Sequence, residues 1–177
     1  VHDKAWGRAA NLRAFELRMN ENRFEAAVEA WRGLELEDEK QKREIGYGLF
    51  DQFMAIRKED LAWIVLDDAI RLAEPVLEEA LRKGDPPADL LNEVAWYHAL
   101  RGTDLKEALG LSEEAVRIAR AAGGGLWKWL PRGRKVQIEL GMFLNTRGWI
   151  RLQLGDSEGA IEDLKEAAEA LPVGANF

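Results

Sequence analysis

Leu91-Asn92-Glu93-Val94-Ala95-Trp96 recurs as Leu144-Asn145-Thr146-Arg147-Gly148-Trp149, at an offset of 53 residues. Six residues after each tryptophan stands a glycine, Gly102 or Gly155, and then an aspartate, Asp104 or Asp156. With a slip of one residue the match runs on: Ala108-Leu109 aligns with Ala160-Ile161, and Glu114-Ala115 with Glu166-Ala167. Glycine followed by an acidic cap ends one helix and starts the next. Small residues let two antiparallel helices approach closely, while Leu, Ile and Trp fill the seam between them. The repeated unit is a helix hairpin. A plain bundle with a chance match is the alternative, and a match spanning both helices and both turn glycines argues against it.

Outward from these copies the chain is helical in character throughout. Ala, Leu, Glu and Arg dominate and strand-like alternation of β-branched residues is nearly absent. Breaks fall at Gly84-Asp85-Pro86-Pro87, where Asp85 or Asp89 is available as a cap, at Gly123-Gly124-Gly125 and at Pro172. The expected helices lie at 4–20, 22–36, 40–57, 60–83, 87–101, 104–121, 135–154 and 157–171. Pro75 sits inside the fourth, which should kink or split there. Eight helices with short turns suggest stacked antiparallel pairs.

The pattern resembles the tetratricopeptide repeat (TPR), a helix–turn–helix unit of about 34 residues. Gly148, Gly155-Asp156, Ala160-Ile161, Leu164, Ala167 and Pro172 occupy that family's small, turn, knob and terminating positions, as do Ala95, Gly102, Ala108 and Ala115 one copy earlier. Upstream the likeness fades. Asn22 to Val28 with Trp31 suggests a first copy, and Gly48 with Ala62, Leu66 and Ala69 a degenerate second one. The resemblance implies an all-α fold of antiparallel helix-hairpin repeats, stacked as a short right-handed superhelical solenoid. The expected organisation is one domain over 1–177, with units at 4–36, 40–83, 87–121 and 135–172 and an insertion at 122–135.

Composition bounds the chemistry. Of 177 residues, Lys+Arg make 25 and Asp+Glu 32, a net charge of −7 that argues against nucleic acid as a partner. With no cysteine and 2 histidines, disulfides, thiolate metal sites and a histidine catalytic network are not expected, nor is a cofactor. No apolar run approaches the ~20 residues of a membrane span. The acidic runs Glu35–Glu39, Asp67-Asp68 and Glu78-Glu79 read as solvated, salt-bridged surface, and His98 as a hydrogen-bonded structural residue. The start, VHDKAWGRAA, has neither an apolar stretch nor a Met. An excised domain or processed product is therefore expected, with its compartment open and the cytoplasm favoured.

Binding is the better prospect than catalysis. In the resemblance, first helices line a concave groove, which gives Asn92, Trp96, Asn145 and Trp149 as contacts for a peptide or protein. Within each helix these residues are i and i+4 and share a face. Asparagine bonds a peptide backbone at both its C=O and its N–H, and tryptophan adds a flat apolar wall. The alternative is that the tryptophans pack between repeats. Of the 7 tryptophans, Trp6, Trp31 and Trp63 lie among apolar residues at helical spacing and read as core. The insertion holds the last two, Trp127 and Trp129, with Lys128, Arg132, Arg134 and Lys135 and no acidic residue. Trp127, Trp129 and Arg132 are anchors for a partner, or else parts of a lid. The expected function is a non-enzymatic interaction scaffold. Self-association through the repeat ends, or a regulatory role within a larger protein, is the other reading.

Overall fold

The computed structural model describes residues 13, 15–34, 39–122 and 131–171. Among them the secondary structure is helical, with no strand: α1, described over 15–20, then α2 (Phe24–Arg32), α3 (Glu39–Ala55), α4 (Glu59–Lys83), α5 (Ala88–Arg101), α6 (Leu105–Ala122), α7 (Pro131–Gln153) and α8 (Ser157–Ala170). The all-α expectation holds. The chain divides into two compact units, residues 1–72 and 73–177, and the division falls inside α4 instead of at a linker.

Three boundaries differ from expectation. Pro75 lies within a single α4, so that helix does not split. α5 takes Pro87 as its N-cap without a side-chain bond, and the Asp89 carboxylate accepts from the Leu90 N–H instead. α7 starts at Pro131, four residues early, because proline's missing N–H costs nothing at a first helical position. The insertion shrinks accordingly.

In the first unit the core forms around one tryptophan. Trp31 is fully buried, and its indole N–H donates to the Lys42 carbonyl at 3.1 Å. α3 can come this close because Gly46 lies under the ring. A Cβ there would stand 2.6 Å from the Trp31 Cζ2. Phe24 meets Phe53 edge-on at 5.8 Å, and Phe50 meets Trp63 at 5.6 Å. Trp31 is core as expected, Trp63 is half-buried, Ile64 is exposed, and Trp6 lies outside the described residues. Asp68 departs from the solvated reading. It is buried, accepting from Arg32 Nε at 2.7 Å and from Arg71.

In the second unit α5 pairs with α6 and α7 with α8, while α7 also lies against both α5 and α6. α5 has buried residues on every side, from Leu90 and Leu91 through Val94, Ala95, Tyr97, His98 and Ala99. Such a helix is central to its unit and carries little amphipathicity. Both hairpin turns pass through a left-handed glycine, and the first has one residue more and a second left-handed residue, Asp104 at φ 47°. Gly102 and Gly155 adopt φ of 72° and 87°, a left-handed conformation that closes a helix and is cheap only for glycine. Asp156 then caps α8, its carboxylate accepting from the Gly159 N–H at 3.0 Å.

Candidate functional site

α7 carries two opposed faces. Phe143, Leu144, Thr146 and Ile150 are buried. Met142, Asn145, Trp149 and Leu152 follow one another at spacings of 3, 4 and 3, which puts them on one stripe of the helix. That stripe is largely open: Trp149 is 44% exposed, and Met142 and Leu152 are exposed as well, while Asn145 is half-buried. A tryptophan left this bare costs transfer free energy that burial would recover.

The equivalent residues of α5 sit differently. Trp96 is half-buried and packs on a cluster of Ala95, Ala99, Ala108 and Ile150, the last supplied by α7. Gln153 Nε2 donates to the Ala99 carbonyl at 2.9 Å and ties the end of α7 to α5. The Asn92 amide oxygen is out of contact with solvent and has no hydrogen-bond partner. Of the expected quartet, Trp149 therefore faces outward, Asn145 is half-buried on the same stripe, Trp96 forms a half-buried wall, and Asn92 turns its acceptor inward. Trp127 and Trp129 lie outside the described residues. Arg132 belongs to α7 by its backbone, not to a loop, and its side chain lies outside the described part.

His98 is buried near the end of α5. Its Nδ1 lies 3.1 Å from the Thr103 hydroxyl and its Nε2 3.4 Å from Glu74. This is the hydrogen-bonded structural histidine expected from the sequence.

A polar cluster that sequence reasoning did not single out lies between α7 and α8. The Asp163 side chain is 3% exposed and that of Arg147 11%. The Arg147 guanidinium grips the carboxylate with both arms, at 2.8 and 2.5 Å, and Arg151 Nη1 adds a third bond at 3.0 Å. The bond to Asp163 holds the Arg147 pKa above its ordinary value. Arg151 also reaches the Gly159 carbonyl at 3.3 Å. The signal was present in the repeat: Arg147 stands where the earlier copy has Val94, and Asp163 where it has Leu111. Two apolar positions changed together to opposite charges.

Two open depressions, of about 480 and 440 Å³, lie in the first unit. The smaller is lined by Phe15, Met19, Ile45 and Leu49 among others, and neither includes a residue expected to bind. Among the described residues no three His, Asp or Glu side chains converge as metal ligands, and no helix is long and apolar enough to cross a membrane. Comparisons with known protein families, with curated proteins and with solved structures find no match.

Proposed function

We propose that the chain is a non-enzymatic interaction scaffold. Its helix hairpins stack as a short right-handed TPR-like superhelix, and a peptide or protein segment binds along the first helices of the last two hairpins. The observation that carries this reading is the open stripe of α7, with Trp149 bare beside Asn145 and the buried Phe143, Leu144, Thr146 and Ile150 on the other side of the helix. Asn145 offers a backbone-directed donor and acceptor, Trp149 an apolar platform, and Trp96 a second wall. An aromatic side chain with two torsions gives much contact area for little ordering cost, which is why such residues dominate binding energy.

Selection from a displayed library of short random peptides tests this on the whole chain. Peptides selected on the parent protein should bind the Trp149→Ala variant about tenfold or more weakly, and the Asn145→Ala variant measurably more weakly. Trp149 is exposed and Asn145 half-buried, and neither belongs to the core, so the variants should keep the parent's helical spectrum and a thermal midpoint close to the parent's. Selected peptides that bind both variants as well as the parent would show that the groove lies elsewhere.

A further inference from the structure

The repeat register identifies which part of a hairpin the next helix covers. On the α5–α6 hairpin α7 covers the patch around Ala99, Trp96 and Leu109, through the cluster that contains Ile150. The corresponding residues of the last hairpin are Leu152, Trp149 and Ile161. There Leu152 is 47% and Ile161 53% exposed, and Leu164 beside them is exposed too. Helical spacing puts these side chains on adjacent turns of the α7–α8 seam. Leu164 lies against Gly148, where a Cβ would stand 3.0 Å from its Cγ, and Leu152 and Ile161 are each one helical turn away. The small Ala99 of the covered hairpin has become a leucine in the open one. That replacement enlarges the apolar surface offered to a further helix.

Charge says what kind of helix fits. Glu158, Glu162 and Glu169 of α8 are exposed along one edge of this surface, with Lys165 the single cation among them. In the covered hairpin the same register positions hold Lys106, Gly110 and Arg117, with Glu113, 4.0 Å from Arg151 of the covering helix, in the place of Lys165. Over all four positions the rim changes from net basic to net acidic at the hairpin that no further helix covers among the described residues. A second copy of this chain, itself at −7, is a poor match for an acidic rim. We infer that the end of the second unit, at Leu152, Ile161 and Leu164, is a docking site for a cationic amphipathic helix of another protein. That helix would lie on α7 and α8 as α7 lies on α5 and α6, with its leucine-like face inward and its Lys or Arg residues along the Glu158–Glu169 edge. The site borders the groove reading, since Trp149 belongs to both surfaces, but it rests on Ile161, Leu164 and the α8 glutamates, which the groove does not use.

The test uses the whole chain and two synthetic helical peptides. Both repeat Leu at i, i+3, i+4 and i+7. One is flanked by Lys and the other by Glu. By fluorescence anisotropy at moderate salt the Lys-flanked peptide should bind at least about tenfold more tightly than the Glu-flanked one. Ile161→Asp should abolish binding of the Lys-flanked peptide. E158K/E162K/E169K should reverse the preference, whereas E25K/E59K/D60K, three exposed acids of the first unit, changes net charge equally and should leave it in place. The idea is overturned if neither peptide binds, if Ile161→Asp binds like the parent, or if the two triple variants behave alike. It is also overturned if light scattering shows concentration-dependent self-association that Ile161→Asp removes, since the occupant would then be a second copy. All these positions face solvent, and an unchanged circular dichroism melt confirms that a variant has folded.

Discussion

The α5–α6 and α7–α8 hairpins share a skeleton of leucine, asparagine, small residue, tryptophan and turn glycine, yet they are held together differently. At the inner hairpin, α5 is buried on every side and the position of Val94 is apolar. At the outer hairpin that position is Arg147, clamped with Arg151 onto the buried Asp163. A helix enclosed by neighbours has its orientation set by shape, because every direction of movement meets packed side chains. The outer pair has one open flank, carrying Leu152, Ile161 and Leu164. Hydrophobic burial is non-directional and does little to stop two such helices from sliding. A bidentate arginine–carboxylate pair has direction, which suits it to fix register and angle alongside the close packing of Gly148 on Leu164.

The largest effect that separates the two hairpins should come from Asp163→Ala. It leaves the nearly buried Arg147 charge without a partner, a situation that typically costs about 3–5 kcal/mol. Urea denaturation followed by tryptophan fluorescence would read the loss as a lowered midpoint. The double variant R147V/D163L installs the residues of the inner hairpin, Val94 and Leu111, in the outer one. Removing both charges together should recover most of the loss, because well-packed apolar side chains replace buried ion pairs at little net cost. Arg151 keeps contact with solvent and tolerates the change. An Asp163→Ala variant within about 1 kcal/mol of the parent would mean that the pair is weakly coupled to folding. A double variant as unstable as the single one would mean that the outer seam cannot be packed like the inner.

A smaller effect should come from the small residue of each seam. Ala95 is fully buried in the inner hairpin, whereas the outer one has Gly148. A Cβ on Gly148 would meet Leu164 Cγ at 3.0 Å and the Ala160 carbonyl at 3.3 Å. Gly148→Val should therefore cost about 1–3 kcal/mol through overpacking. Gly148→Ala should come out near neutral, since the crowding offsets the helix propensity gained, about 1 kcal/mol. Equal thermal midpoints for the two variants would show that α8 yields at this point, and that the outer seam is looser than the inner one.

Most of the fold was legible because it rests on local signals: glycines at turns, the Asp156 cap, and the absence of strand patterning. Where reading failed, a competing local rule or a tertiary partner prevailed. Pro131 suits a helix start, so the expected insertion lost its last residues to α7. Asp68 looked solvated because neighbouring acids usually are, and the sequence does not display Arg32, 36 residues away, closing on it. The candidate site was half legible. Helical spacing put Asn145 and Trp149 on one face, as the structure has them. The same spacing could not tell that Trp96 would gain a cover from Ile150 while Trp149 would not, since that depends on which hairpin comes last among the described residues. Arg147 and Asp163 were readable in principle, as a coupled change between copies, but only once the copies are aligned residue by residue.

The smallest effect concerns one glutamate that the two hairpins use in different ways. Glu114 of α6 accepts from Arg117 of its own helix at 2.6 and 2.5 Å. Its counterpart Glu166 accepts from Arg120 of the preceding hairpin at 2.6 Å. The bond from Arg117 holds the Glu114 carboxyl below the usual glutamate range. Because the folded pKa is the lower one, this stability is fully present above the unfolded value and is lost as pH falls through the folded value. The pair is exposed on one helix, so Glu114→Gln should lower stability by only about 0.3–0.5 kcal/mol at neutral pH. The gap to the parent should close in acid, and added salt should shrink it. Glu166→Gln removes a link between hairpins, so its effect should appear in the separation of α8 from α6 as well as in overall stability. Hydrogen exchange along α8 would register it, with faster exchange in Glu166→Gln than in Glu114→Gln. Equal exchange in the two variants would mean that the Arg120 link does not restrain the outer hairpin, leaving the Arg147–Asp163 clamp to hold α8 through α7 alone.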